Sequence, residues 1–384
     1  MIDFNTLNQQ QSNAVTALFG KIKIVAGAGS GKTRVLATRY AYLTETIGID
    51  SNNILCLTFT NKAAQEMKRR ILSMISNSAI INDFICTIHG FCVKFLRQEI
   101  YRLGYPKTFN IIDNEDSKGY AKKIMEQFGQ DRSVQTVKQF LTNINRQKNI
   151  LRSDYIPLML SGATLKEDNE FEMYLREQLK TFSLDFNDLI HFTTYILNKF
   201  SDVREKWQEQ FNFIMVDEVQ DCNLSDWEII TILSARHGNL FIVGDPDQAI
   251  YEWRGAKPEL FVQFSSDQQI ILNENYRSTK NILDIANSVI TNNDNRIQKD
   301  LFTRKKKYQH AIYFHGHSEI EEATWVVNNI KDAIQRDVKP QDIAILYRAS
   351  HNSRIFEQQL IKEQVPYTIW GGIRFFERKE IKDI

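Results

Sequence analysis

The stretch Ile22-Lys23-Ile24-Val25-Ala26-Gly27-Ala28-Gly29-Ser30-Gly31-Lys32-Thr33 constrains this chain more than any other. A short apolar run ahead of a glycine-rich turn reads as a buried strand, and Arg34-Val35-Leu36-Ala37-Thr38-Arg39-Tyr40 reads as the helix that follows. Strand, turn and helix in that order make a phosphate cradle. Gly27, Gly29 and Gly31 lack side chains, so backbone N–H groups can converge at the positive end of the helix. Lys32 adds a mobile point charge for β and γ phosphates, and Thr33 a hydroxyl for magnesium. Ala26 stands at the first position of the G-x-x-x-x-G-K-[ST] pattern, which suits a residue that packs closely and needs no positive φ. An incidental surface turn would require both flanking elements to be accidents, so Ala26, Gly27, Ala28, Gly29, Ser30, Gly31, Lys32 and Thr33 are the candidate nucleotide loop.

Further apolar runs bounded by turn residues predict parallel strands at Ile54 to Thr58, Phe84 to Thr87, Phe213 to Val216 and Leu240 to Val243. Helical patterns separate them, as βαβ units require. Asn61 to Ile71 is one such helix, with Ala64, Met67 and Ile71 on a single stripe. From about Phe109 to about Phe182 no strand pattern persists, and amphipathic segments at Asp116 to Phe128 and Val134 to Gln147 predict a helical insertion. A second α/β pattern begins near Leu272, with apolar runs Ala311 to Phe314, Ile343 to Tyr347 and Tyr367 to Trp370.

Charge excludes a global electrostatic field: 48 Lys and Arg against 47 Asp and Glu leave +1 in 384 residues. Any affinity for nucleic acid must then come from local basic and aromatic patches. Cys56, Cys86, Cys92 and Cys222 form no C-x-x-C pair, which points away from a zinc ribbon or a disulfide framework. The first residues carry no basic-then-apolar leader and no long apolar stretch occurs, so a soluble cytoplasmic protein without a membrane partner is the simplest reading. Arg304 to Lys307 reads as a solvated loop, and His315 and His317 lack a third ligand at metal spacing.

Two carboxylates, Asp217 and Glu218, end the Phe213 to Val216 run, at the sheet edge where α/β folds bind ligands. Asp217 is suited to magnesium and Glu218 to accepting a proton from an attacking water. Gln248, after the Leu240 strand, can sense a γ phosphate with a neutral amide that switches partners; the competing reading is a polar turn. Ala249-Ile250-Tyr251-Glu252-Trp253-Arg254 interleaves aromatics with a planar cation, a composition that stacks on single-stranded bases without reading sequence. Core packing is the competing role for Tyr251 and Trp253, and a stronger competitor for Phe59 among 24 phenylalanines.

In order, these motifs closely resemble the UvrD/Rep/PcrA group of superfamily 1 DNA helicases. Leu7 to Gln11 resembles the adenine-reading Q motif, Ala26 to Thr33 the Walker A loop, and Val216 to Asp221 Walker B with Val219 where an aromatic is commoner. Leu57 to Ala64 and Thr87 to Cys92 look like two DNA-contact motifs, Gly244 to Ala256 like the motif coupling nucleotide to DNA, and Asn273 to Ser278 like the one opening a second RecA-like domain. The resemblance implies an α/β P-loop NTPase: a first RecA-like domain over 1–108 and 183–271, a helical insertion over 109–182 and part of a second RecA-like domain over 272–384. It implies that Gln11 bonds the adenine edge, Tyr276 stacks on its face with Arg34 nearby, and Arg277 reaches across the cleft to the γ phosphate. It further implies that Phe59, Asn61, His89, Tyr251, Trp253 and Arg254 line a single-strand track, and that ATP with Mg2+ drives 3' to 5' movement along single-stranded or partly single-stranded DNA.

Two later family motifs, a T-x-H-x-x-K-G-x-E run and one ending in a second catalytic arginine, do not occur in these residues. Gly371 to Ile384 resembles the lead-in to the family's second insertion, so the expectation is a truncated form. Two readings remain open at this point: a DNA-stimulated ATPase motor completed by further residues, or a nucleotide-gated DNA-binding or partner-recruiting module that does not translocate. Protein partners in repair, replication or defence are not specified.

Overall fold

Alternation along each apolar run decides which side of the sheet a residue serves. In the computed structural model, which describes residues 4–75, 83–162, 166, 168–293 and 296–370, eight strands occur: β1 (Lys21–Ala26), β2 (Ile54–Thr58), β3 (Ile85–Thr87), β4 (Asn110–Ile111), β5 (Ser183–Leu184), β6 (Phe213–Val216), β7 (Leu240–Gly244) and β8 (Gln268–Leu272). Six form one sheet in the order β3-β2-β6-β7-β1-β8, every neighbouring pair parallel. Leu55, Leu57, Ile214, Val216, Leu240 and Ile242 join one core, while Ile54, Cys56, Phe213, Met215, Phe241 and Val243 join the other. Burial on both faces is what a parallel sheet covered by crossover helices demands.

Chain order and sheet order differ most at β1, which is flanked by β7 and β8. Its C-terminal end, where the glycine loop begins, is thereby set beside the ends of β7 and β8. Strand β8 escapes the apolar-run criterion because its first two residues are exposed.

The insertion is helical, with helices Asn114–Gln127, Val134–Leu151, Tyr155–Ser161 and Glu170–Lys180. One correction is needed at its borders: β4 and β5 pair in parallel, Asn110 with Ser183 and Ile111 with Leu184, closing the insertion with a two-strand clasp. Inside it Lys148, with no exposed surface, bonds Asp185 (2.6 Å), Asp188 (2.7 Å) and Gln178 (2.9 Å). Tyr155 donates to the same Asp188 carboxylate. A buried ammonium is tolerable only when so many acceptors surround it.

Contacts divide the chain into two compact units, Met1–Tyr308 and Gln309–Ile384. Residues 272–308, assigned from sequence to the second domain, therefore pack with the first unit, because β8 extends the sheet and the chain after it laces onto the glycine loop. In the second unit, helices Glu319–Gln335 and Ser353–Lys362 bury Val327, Ile330 and Leu360 together with Val365. The three apolar runs predicted there form no ladder among the described residues. Ala311 to Phe314 and Ile343 to Tyr347 carry no regular structure and Tyr367 to Trp370 ends in a bend, with Tyr313 and Leu346 exposed. A strand exists only where a neighbour supplies N–H and C=O groups in a ladder, and among the described residues none does so for these runs. Phe314 instead stacks on Trp325 at 4.6 Å. The expectation for Gly371 to Ile384 lies outside the described residues.

Candidate active site and nucleic-acid face

The glycine loop is held by its carbonyls. Gly27 O accepts from the Ser30 hydroxyl (2.7 Å), Ala28 O from Asn275 Nδ2 (2.6 Å), Gly29 O from the Tyr276 N–H (2.9 Å) and Ser30 O from Gln11 Nε2 (2.9 Å). Four successive carbonyls thus have donors, and the Ser30 N–H also bonds Gly27 O (3.2 Å), which pins the loop's backbone. Gly29 (φ 66°) and Gly31 (φ 87°) take left-handed backbone. A side chain at Gly27 would strike Leu301, and one at Gly29 would meet Asn275 and Arg277.

Gln11 is buried, its Oε1 taking the Asn8 N–H (3.1 Å) in a capping box while its Nε2 holds Ser30. A primary amide has two acceptor sites and two N–H donors, so the adenine contact expected of Gln11 can be added to these bonds without breaking either. Asn8 also donates to the Tyr276 hydroxyl (2.8 Å) and to Glu274 (3.1 Å), which places the half-exposed Tyr276 ring beside the first helix, Gln9–Thr16. Thr33 and Arg34 occupy the first turn of the helix Lys32–Ala41, partly buried. Arg277 is exposed beside Gly29, its N–H bonded to Asn275 Oδ1 (2.9 Å).

Lys32 Nζ lies 3.0 Å from Glu218 Oε2 and 3.5 Å from Gln248 Oε1. Glu218 holds a left-handed φ of 50°, a strained backbone for a carboxylate residue that fixes its aim at the loop lysine. Asp217 is buried at the end of β6 and takes the Glu218 N–H (3.0 Å). Burial, and then the Glu218 charge, push its carboxyl up to about 7. Lys32 opposes this shift, and the Asp217 carboxylate and the Thr33 hydroxyl are oxygen donors of the kind a hard divalent cation takes. Asp221 is raised to about 6, by burial first and Glu218 second.

Directly behind, the Walker B segment grips the aromatic one: Asn223 bridges Ala256, and the Lys257 N–H bonds Cys222 O (2.9 Å). The aromatics are not core. Trp253 is 75% exposed, and Tyr251 stands between Phe59 (4.8 Å between ring centres) and Trp253 (6.5 Å), with the Arg254 guanidinium 5.6 Å from the Tyr251 ring. Asn61 is exposed at the start of its helix. His89 is partly buried, and burial, then the nearby Arg254, lower its pKa. Sequence reasoning missed one neighbour: Phe186 is half-exposed and lies 5.7 Å from His89, edge to face. The signal was an Asp185 cap that forces the following aromatic to the first helical position.

Residues 7–269 match the UvrD/REP helicase N-terminal domain, and residues 270–384 the UvrD-like helicase C-terminal domain. The chain is 39% identical to a probable DNA helicase II homolog of Mycoplasma capricolum over 98% of its length and 54% of the relative. It is similarly 38% identical to the ATP-dependent DNA helicase PcrA of Staphylococcus aureus, covering 99% of this chain and 53% of that one. Against PcrA of Leuconostoc citreum the figures are 36%, 99% and 52%. The chain spans about half the length of these curated relatives. With its parallel sheet, glycine loop and ordered motifs, the chain belongs to the UvrD/Rep family of helicases.

Proposed function

We propose that this chain is the ATP-hydrolysing part of a DNA helicase that moves 3' to 5' on single-stranded DNA. One observation carries the reading: the residues suited to hydrolysis and the exposed aromatics hang on one continuous strap, Asp217 to Asn223 bonded to Ala256 and Lys257. A shift at the γ phosphate can then reach Tyr251, Trp253 and Arg254 through these bonds.

In this reading Gln11, Tyr276 and Arg34 receive the base, and residues 26–33 the phosphates. Thr33 and Asp217 would hold Mg2+, which neutralises charge developing on the transferred phosphoryl group. Glu218 accepts the proton of the attacking water once Lys32 has turned to phosphate, Gln248 registers the γ phosphate, and Arg277 adds positive charge from beside Gly29. Phe59, Asn61, His89, Phe186, Tyr251, Trp253 and Arg254 line the strand's path, with stacking supplying affinity independent of base identity. A DNA substrate supports a cytoplasmic setting; among the described residues no helix is long and apolar enough to cross a membrane.

The test is steady-state ATP hydrolysis by the 384-residue chain with and without single-stranded DNA, beside Lys32→Ala. DNA-stimulated turnover lost in Lys32→Ala supports the reading, and tailed duplexes then decide direction. Nucleotide-dependent DNA binding without turnover would instead assign a nucleotide-gated binding module.

A further inference from the structure

Lys299 is a buried ammonium to which neither the helicase motifs nor the reading above gives a role. Its side chain is 2% exposed and lies 2.6 Å from Asp245 Oδ1 and 2.5 Å from Asp247 Oδ2, with Arg296 3.5 Å from the latter carboxylate. Two buried carboxylates are thereby matched by two cations drawn from about fifty residues downstream. Asp245 is the junction of the site. Its other oxygen accepts the Gln248 amide, while its N–H donates to Gln220 Oε1 (3.0 Å), whose Nε2 donates to Glu218 (2.9 Å). Gln248 in turn faces Lys32.

The far end of the same segment rests on the nucleotide loop. Leu301 packs where a Gly27 side chain would be. The Phe302 N–H bonds Asn273 O (3.0 Å), and Phe302 O takes the N–H of Asn275, whose side chain holds Ala28 O. One short run, residues 299–302, therefore holds both the γ-phosphate sensor and the cradle.

We propose that Lys299 is a positioning residue that sets Gln248, through Asp245, in the orientation that distinguishes a triphosphate from a diphosphate. The proposal rests on the reading of Gln248 as γ-phosphate sensor. A plain structural staple would need only charge neutrality. Here the ammonium fixes one oxygen of Asp245 and leaves the other for the Gln248 amide, so the sensor's carbonyl oxygen points toward Lys32. Without the cation, Asp245 is a buried carboxylate lacking its counter-ion and free to rotate, and Gln248 loses a fixed acceptor.

The experiment titrates the full 384-residue chain with ADP and with a non-hydrolysable ATP analogue, in wild type, Lys299→Met, Lys299→Arg, Gln248→Ala and the Lys299→Met/Gln248→Ala double variant. Lys299→Met should keep ADP affinity while its preference for the triphosphate falls at least about fivefold. Lys299→Arg should restore that preference, and the double variant should be no worse than Gln248→Ala alone. A Lys299→Met chain that melts earlier yet keeps its triphosphate preference overturns the proposal and leaves Lys299 a staple. If Gln248→Ala itself keeps the preference, the sensor reading is what fails, and the proposal falls with it. Should Lys299→Met not fold, Lys299→Gln, which retains an N–H donor, is judged by the same criterion.

Discussion

The ammonium of Lys32 and the carboxylate of Glu218 lie 3.0 Å apart, so the cation suited to phosphate is paired with the group suited to activating water. Nucleotide must compete with Glu218 for Lys32. Glu218→Gln removes that competitor together with a negative charge near the phosphates. The expected outcome is nucleotide binding about 3–10-fold tighter with turnover about 100–10,000-fold lower, read by equilibrium titration beside steady-state hydrolysis. Weaker binding in Glu218→Gln would show that the pair organises the loop and does not compete for it.

Trp253 is exposed at the edge of the aromatic row, with the Arg254 guanidinium 5.8 Å from its ring, so its removal should separate binding from folding. Trp253→Ala should lose about 1–3 kcal/mol of single-stranded DNA affinity, and Phe186→Ala a smaller amount, with melting temperature unchanged. Fluorescence anisotropy with a labelled oligonucleotide measures the first and thermal melting the second.

Arg39 is a buried cation serving as a helix stop. Its guanidinium donates to the carbonyls of Ala14, Val15, Ala17 and Leu18 and lies 4.3 Å from the Phe241 ring centre. Burial lowers its pKa to about 9. Arg39→Met leaves those carbonyls without their donor, at an expected cost of about 2–4 kcal/mol in urea unfolding. Because the helix it stops carries Gln11, nucleotide affinity should fall as well.

His191 supplies a pH signature. Burial lowers its pKa to about 4, with Asp188 pulling up and Lys148 and Arg152 pulling down. The native ring stays neutral where the unfolded one, near 6.5, takes a proton, so its contribution is full above about pH 6.5 and is lost as pH falls. The stability difference between wild type and His191→Gln should therefore shift against wild type by about 2 kcal/mol between pH 7.5 and pH 5. Denaturant titrations of both chains at the two pH values check it.

What could be read along the chain was whatever depends on neighbours in sequence. The glycine loop, five sheet strands and the helix stripe of Ala64, Met67 and Ile71 follow from local periodicity and turn chemistry, since a strand's two faces and a helix's stripe are written within a few residues. The same logic overreached at Ala311 to Phe314, Ile343 to Tyr347 and Tyr367 to Trp370, where apolar character is present but the described residues supply no ladder partner. It undershot at β8, whose half-exposed edge position weakens its pattern, and at the two-residue clasp of β4 and β5, too short to carry a period.

By itself, then, the sequence determined the element types, the nucleotide loop and the identity of the side chains able to act there, because those depend on propensity, spacing and chemical type. Only the tertiary structure decided which of them meet. It brought Lys299 to Asp245, Asn275 to Ala28 O, Phe186 to His89 and Lys148 to Asp188, each pair separated by tens to hundreds of residues. Such meetings are set by sheet order and by the need to satisfy every buried charge and peptide group, conditions that exist only once distant segments are packed together.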